Sequence, residues 1–191
     1  AAAQCAFHHH VPVAHVEAGL RTHRFDQPWP EEILRVTISR LSRWHYAPTE
    51  TARRNLLNEG VDESRILVTG NTVVDAFRTL LSGLDGAAMP ALPVSSSSSS
   101  SLRILLTLHR RENFGAPQLR IAHALRAFLT RHPAQVELLA LSHPNPESSR
   151  HLPLLRDLPN VRIVEPLPYP MFIRLMRQCQ LIASDSGGIQ E

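Results

Sequence analysis

Val11-Pro12-Val13-Ala14-His15-Val16-Glu17-Ala18-Gly19-Leu20-Arg21-Thr22, followed shortly by Pro28-Trp29-Pro30-Glu31-Glu32, is the stretch on which the fold turns. Residues 11–16 are a short apolar run that reads as a buried strand. Residues 31–43 have helical periodicity behind Pro30, a residue suited to a first helical turn. Working outward, 44–47 reads as a second strand, and Thr49 caps a helix that stops at Gly60. A strand over 66–69, a Gly70-Asn71 turn and a helix over 72–81 complete the alternation. Strand, helix, strand, helix implies a parallel sheet covered on both faces.

Over 83–101 the periodicity fails, and 95–101 are all serine; this segment reads as a flexible linker or insert. The alternation then resumes, with strands at 102–108, 136–141, 161–164 and 181–184 and helices at 118–132, 147–155 and 169–178. The expected organisation is therefore an α/β unit over 1–82, the serine-rich segment 83–101, and a second α/β unit over 102–191. Two such units joined by a hinge suggest a substrate held in the cleft between them.

With 191 residues, 43% of them hydrophobic, the chain can bury a substantial core. It opens on Ala1 and closes four residues into what reads as a helix after a glycine turn, so it reads as an interior fragment of a longer protein. All 20 basic residues are arginine against 17 acids, a net charge of +3. The absence of lysine excludes a Schiff-base or P-loop lysine in this stretch. The arginines lie beside acids at helical spacing without interleaved aromatics, which points to solvated faces and a few anion contacts, with no nucleic-acid partner. Cys5 and Cys179 make no disulfide framework and suit a reduced, intracellular setting. No apolar run of membrane-spanning length occurs, and residues 1–7 are too short for a signal peptide. His8-His9-His10 lacks acid or cysteine partners at ligand spacing, so no metal site is expected.

Polar residues gather just past predicted strand ends: Glu17, His109, His143 and Asp185-Ser186. In open α/β sheets that edge binds ligands. Ser186-Gly187-Gly188 precedes a helix start, where glycines admit an anion to the backbone amides; a plain tight connection is the alternative. His109-Arg110-Arg111-Glu112-Asn113 puts an imidazole and two guanidinium groups on one loop, and arginine's planar donors suit phosphate. Glu17 and Glu31 are candidates for proton transfer, since paired carboxylates in a closed site can have their pKa values pushed apart. An idle carboxylate directly after a buried strand would be costly to desolvate. A salt bridge from Glu17 to Arg21 or Arg24, and a helix-dipole role for Glu31, are the bland alternatives. Phe172, Leu175 and Met176 form a core stripe, with Phe172 close enough to the helix start to cover a base. His15 reads as a core or cleft residue.

The motifs HVEAGLRT at 15–22, PWPEE at 28–32, GNTVVDA at 70–76, HRREN at 109–113 and DSGGIQE at 185–191 together resemble the UDP-N-acetylglucosamine 2-epimerase family. The resemblance implies an α/β, GT-B-like fold of two Rossmann-like doubly wound parallel-sheet domains, both incomplete here, with UDP held mainly by the second. It implies that Glu17 and Glu31 are acid/base groups and that His109 lies close to the diphosphate. Arg110, Phe172, Ser186, Gly187 and Gly188 would contribute to substrate binding, and Arg21 and Arg35 match positions near the active cleft. The implied reaction converts UDP-N-acetylglucosamine to UDP-N-acetylmannosamine by eliminating UDP to a glycal and adding it back, without cofactor or metal. The full-length enzyme would be cytoplasmic and homodimeric, and the 191-residue piece alone would have little activity. A hydrolysing relative that releases N-acetylmannosamine and UDP, or a catalytically silent UDP-sugar binding module, are the competing readings. Leu34 and Leu167 stand where the family pattern is polar, and the serine run has no family counterpart.

Overall fold

A computed structural model describes residues 1–84, 92 and 102–190, so nearly all of the expected 83–101 linker, and Glu191, lie outside the described residues. The chain forms two compact units, Ala1–Ala76 and Phe77–Glu191.

The first unit contains α1 (Ala2–His8), β1 (Ala14–Val16), α2 (Glu31–Leu41), β2 (Trp44–Ala47), α3 (Glu50–Asn58) and β3 (Ile66–Val68), and the helix α4 (Thr72–Leu84) begins in it. The three strands are parallel in the order β1-β2-β3. Strands laid down in sequence order through right-handed crossovers place their connecting helices on one face. α2 and α3 accordingly share the face of His15, His45 and Ala47. His45 lies 3.0 Å through Nε2 from the Ser39 carbonyl of α2, and Ala47 is buried with Ala52 and Leu56 of α3. The register puts Ala14, Val16, Trp44, Tyr46 and Leu67 on the opposite face. There Val16 is 52%, Trp44 41% and Leu67 58% exposed. Among the described residues this sheet is covered on one side only, and the first strand is not the buried element its apolar sequence suggests.

Thr49 caps α3 as expected, its side chain accepting from the Ala52 amide at 3.1 Å. The loop after β1 is held close to that helix. Gly19 has φ +86°, and a Cβ there would lie 2.1 Å from the Ala52 carbonyl oxygen, while Asn55 donates to the Gly19 carbonyl at 2.9 Å.

The second unit contains β4 (Leu102–Thr107), α5 (Ala116–Arg131), β5 (Val136–Leu141), β6 (Val161–Val164), α6 (Tyr169–Arg177), β7 (Leu181–Ser184) and the short α7 (Gly187–Gln190). Its sheet is wholly parallel in the order β6-β5-β4-β7. The chain moves outward from β4 to β6 and then crosses back to β7 on the other side of β4. That reversal covers both faces. Ile104, Leu106, Leu138 and Ala140 pack with Leu129 of α5 and with Leu152 and Leu155, and Leu105, Leu139 and Val164 pack with Leu175 of α6. In place of the helix expected over 147–155 there are two 3₁₀ turns, Pro146–Ser149 and Leu152–Leu154. Pro153 supplies no backbone donor and its ring clashes with the preceding turn of an α-helix, so the apolar residues there are presented from tight turns.

Candidate active site

The reversal in the second sheet creates a switch point between β4 and β7, and loops leaving the carboxyl ends of adjacent strands part there to form a crevice. Thr107 and Ser184, the last residues of these strands, are joined side chain to side chain at 2.8 Å. Immediately beyond, Asp185 ties the two loops together. Its Oδ1 accepts the His109 amide at 3.0 Å. Its Oδ2 accepts the Arg110 amide at 2.9 Å and Asn113 Nδ2 at 3.0 Å. Arg110 Nε donates to the Asp185 carbonyl at 3.2 Å. Burial works to raise the pKa of this carboxyl. The hydrogen bonds from Asn113 and from the His109 and Arg110 amides outweigh burial and hold it below the usual carboxylate range.

The His109 ring projects from this anchored loop, with Nδ1 3.6 Å from Asp185 Oδ1 and its side chain 40% exposed. It lies parallel to His143, ring centroids 6.2 Å apart. His143 Nδ1 accepts the Asn145 amide at 3.0 Å, so the neutral His143 ring carries its proton on Nε2. The two histidines stand at a cavity of about 300 Å³ whose apolar wall includes Leu141, Pro166, Leu167 and Phe172. Phe172 thus lines the cavity, and Leu167 presents an apolar surface there. Gly187 follows β7 with Arg110 Nη2 3.4 Å from where its Cβ would be. The Ser186 amide is used within the turn, donating to Ser184 Oγ at 3.0 Å. Of the expected site residues, His109 and Phe172 line the cavity, together with Ile189 from the segment after the glycine turn; Arg110, Ser186 and Gly187 lie on the two loops that Asp185 joins, and Gly188 is exposed.

The first unit presents its candidate carboxylates at the carboxyl edge of its sheet. Glu17 directly follows β1, is exposed, and has φ +59°. A left-handed backbone at a residue other than glycine is strained, and such strain clusters at functional positions. The Glu17 side chain faces solvent, so its carboxylate carries no desolvation cost. The salt-bridge alternatives fail: Arg24 pairs with Asp26 at 2.9 Å, and Arg21 pairs with Glu59. That second pair is bidentate, Nε to Oε1 at 2.6 Å and Nη2 to Oε2 at 2.9 Å. Arg21 also donates to the Leu20 carbonyl and to Ser39 Oγ, and its side chain is 1% exposed. Four of its hydrogen bonds thus hold the loop to α2, to Glu59 and to its own backbone.

Glu31 is exposed at the start of α2, whereas its neighbour Glu32 is fully buried. Glu32 Oε1 accepts the Thr22 and His23 amides, both at 2.9 Å. Glu32 was missed as a loop anchor because the paired acids give no sign of which one turns inward. Arg35 Nη1 lies 3.8 Å from Glu32 Oε2 and remains partly exposed. His15 is partly buried, and desolvation, aided by His45, Arg21 and Arg35, lowers its pKa to about 4. Among the described residues no group of three or more His, Cys, Asp or Glu side chains is arranged to hold a metal ion, and no helix is long and apolar enough to cross a membrane.

A family profile described as UDP-N-acetylglucosamine 2-epimerase matches residues 1–191. The chain is 42% identical over 195 residues to a UDP-N-acetylglucosamine 2-epimerase of Yersinia pestis, covering all of this chain and 52% of that protein. It is 40% identical over 197 residues to one from Neisseria meningitidis serogroup A, with coverage of 100% and 52%. Among solved structures, the Neisseria meningitidis UDP-GlcNAc 2-epimerase bound to UDP-GlcNAc superposes with a TM-score of 0.92 at 39% identity, over 100% of this chain and 52% of that one. The Methanocaldococcus jannaschii UDP-GlcNAc 2-epimerase in complex with UDP-GlcNAc and UDP gives 0.80 at 34% identity, over 98% and 52%. The chain spans about half the length of these relatives.

Proposed function

The chain belongs to the UDP-N-acetylglucosamine 2-epimerase family, and from that premise we propose that its protein interconverts UDP-N-acetylglucosamine and UDP-N-acetylmannosamine. The observation that carries this reading beyond the family is the crevice at the β4–β7 switch point. Supporting it are an apolar cavity roomy enough for a base, lined by His109, Phe172 and Ile189, and the Asp185 bonds that hold the His109–Arg110 loop beside the segment leading into Ser186-Gly187-Gly188.

In this reading the uracil ring occupies the cavity against Phe172, and the diphosphate lies toward His109, Arg110 and the glycine turn. Elimination breaks the C2–H bond and the C1–O bond to UDP, leaving a 2-acetamidoglycal and free UDP in the site. Re-addition restores the C1–O bond while a proton arrives on the opposite face of C2. Two groups that hold or release a proton are needed, and Glu17 and Glu31 take those roles. Charge growing on the departing phosphate is met by His109 and Arg110. Arg35, partly exposed one helical turn after Glu31, takes part in substrate binding. Arg21 acts indirectly, by fixing the segment that carries Glu17. We further assign the whole protein to the cytoplasm as a homodimer, and expect the 191-residue chain alone to turn over poorly.

The test uses protein expressed from the complete gene, incubated with UDP-N-acetylglucosamine in deuterated water and followed at C2 by NMR. Deuterium at C2 with UDP-N-acetylmannosamine accumulating is the expected result. Free N-acetylmannosamine would instead identify the hydrolysing reaction. UDP binding without exchange would identify a silent binding module.

A further inference from the structure

We infer that Asp185 is the positioning residue for the diphosphate end of the crevice, an inference that rests on the UDP-sugar reading above. A carboxylate beside an anion site is a liability, because it repels phosphate and competes for the arginines meant to bind it. Here its two oxygens are filled by the His109 amide, the Arg110 amide and Asn113 Nδ2. The side chain is 8% exposed. Every one of these donors belongs to the loop after β4, while Asp185 follows β7, so the carboxylate spans the switch point. It sets where the His109 imidazole leaves the chain. Its backbone carbonyl, accepting from Arg110 Nε, also aims that guanidinium across Gly187.

The arrangement demands an acid and not its amide. Asparagine has one accepting oxygen and one donating NH2 group. With donors facing both positions, either orientation of an amide in place of the Asp185 carboxylate would set NH2 against an N–H. Charge-neutral replacement therefore releases the loop although the shape of the side chain is kept.

Asp185→Asn in the complete protein, titrated calorimetrically with UDP and with uridine, tests this. Loss of hydrogen bonds to a charged acceptor is expected to weaken UDP about tenfold. Uridine should change less, by about twofold, because most of its cavity wall, Leu141, Pro166, Leu167 and Phe172, lies outside the loop that Asp185 holds, with His109 the member common to both. Unchanged UDP affinity, or equal losses for both ligands, overturns the inference. Wild-type protein that binds neither ligand removes the UDP-sugar reading itself, a separate result visible before any variant is made. Should Asp185→Asn not fold, Asn113→Ala removes one of the three donors and carries the same comparison, with a loss for UDP of about threefold and none for uridine expected. The same two contrary outcomes would count against it.

Discussion

All 20 lysine-or-arginine side chains of this sequence are arginine, and the planar fork is used for architecture as much as for anions. Arg21 grips Glu59 with two parallel bonds, and Arg103 and Arg162 close on Glu137 at 2.7 and 3.1 Å. Burial, and after it the positive charges of His45, Arg21 and Arg35, keep the His15 imidazole neutral, with a pKa of about 4 against an ordinary 6.5. In the unfolded chain that ring takes up its proton as pH drops below about 6.5, while the folded one resists. The contribution to stability is therefore complete above that pH, declines as pH falls toward 4, and then levels off. Trp29 and Trp44 are the two indoles in the chain, both in the first unit, so urea unfolding followed by tryptophan fluorescence isolates the effect. His15→Gln should flatten the fall in midpoint between pH 7 and about 5; an unchanged slope would assign the acid sensitivity elsewhere.

The loop after β1 shows how an element is placed by one backbone position. Gly19 is glycine because φ +86° and the 2.1 Å approach to Ala52 of α3 leave no room for a side chain. Gly19→Ala should lower the stability of the first unit by about 1–3 kcal/mol, read from the same fluorescence transition, and a shift of a few tenths would mean that α3 gives way without cost. At this level much was legible. The strands at 44–47, 136–141, 161–164 and 181–184 are where the short apolar runs put them, since each run is bounded by polar or turn-forming residues. Other elements depended on signals that compete. Pro153 overrode the helical spacing of 147–155, and α1 went unread although the alanine-rich start has high helix propensity. The candidate site was legible in its parts, with His109, Phe172 and the Ser186-Gly187-Gly188 turn each marked by its position past a strand or at a helix start. What joins them was not. The Asp185 contacts reach some 75 residues back along the chain and exist only because β7 lies beside β4, an order that local spacing does not encode.

Taken whole, the two units differ in one topological respect that follows from strand order. The second sheet reverses direction and buries both faces, whereas the first advances steadily and has α2 and α3 on one. Val16, Trp44 and Leu67 are left facing water on neighbouring strands. Scattered exposed apolar residues are ordinary, but contiguous ones are adhesive. The consequence is colloidal. Concentrated chain should enhance the emission of an apolar dye such as ANS while still natively folded and should self-associate as concentration rises. Leu67→Glu, placed at the 58% exposed position, should reduce both; dye emission unaffected by that change would move the sticky surface elsewhere. Whoever purifies this chain will meet that sheet face first as turbidity.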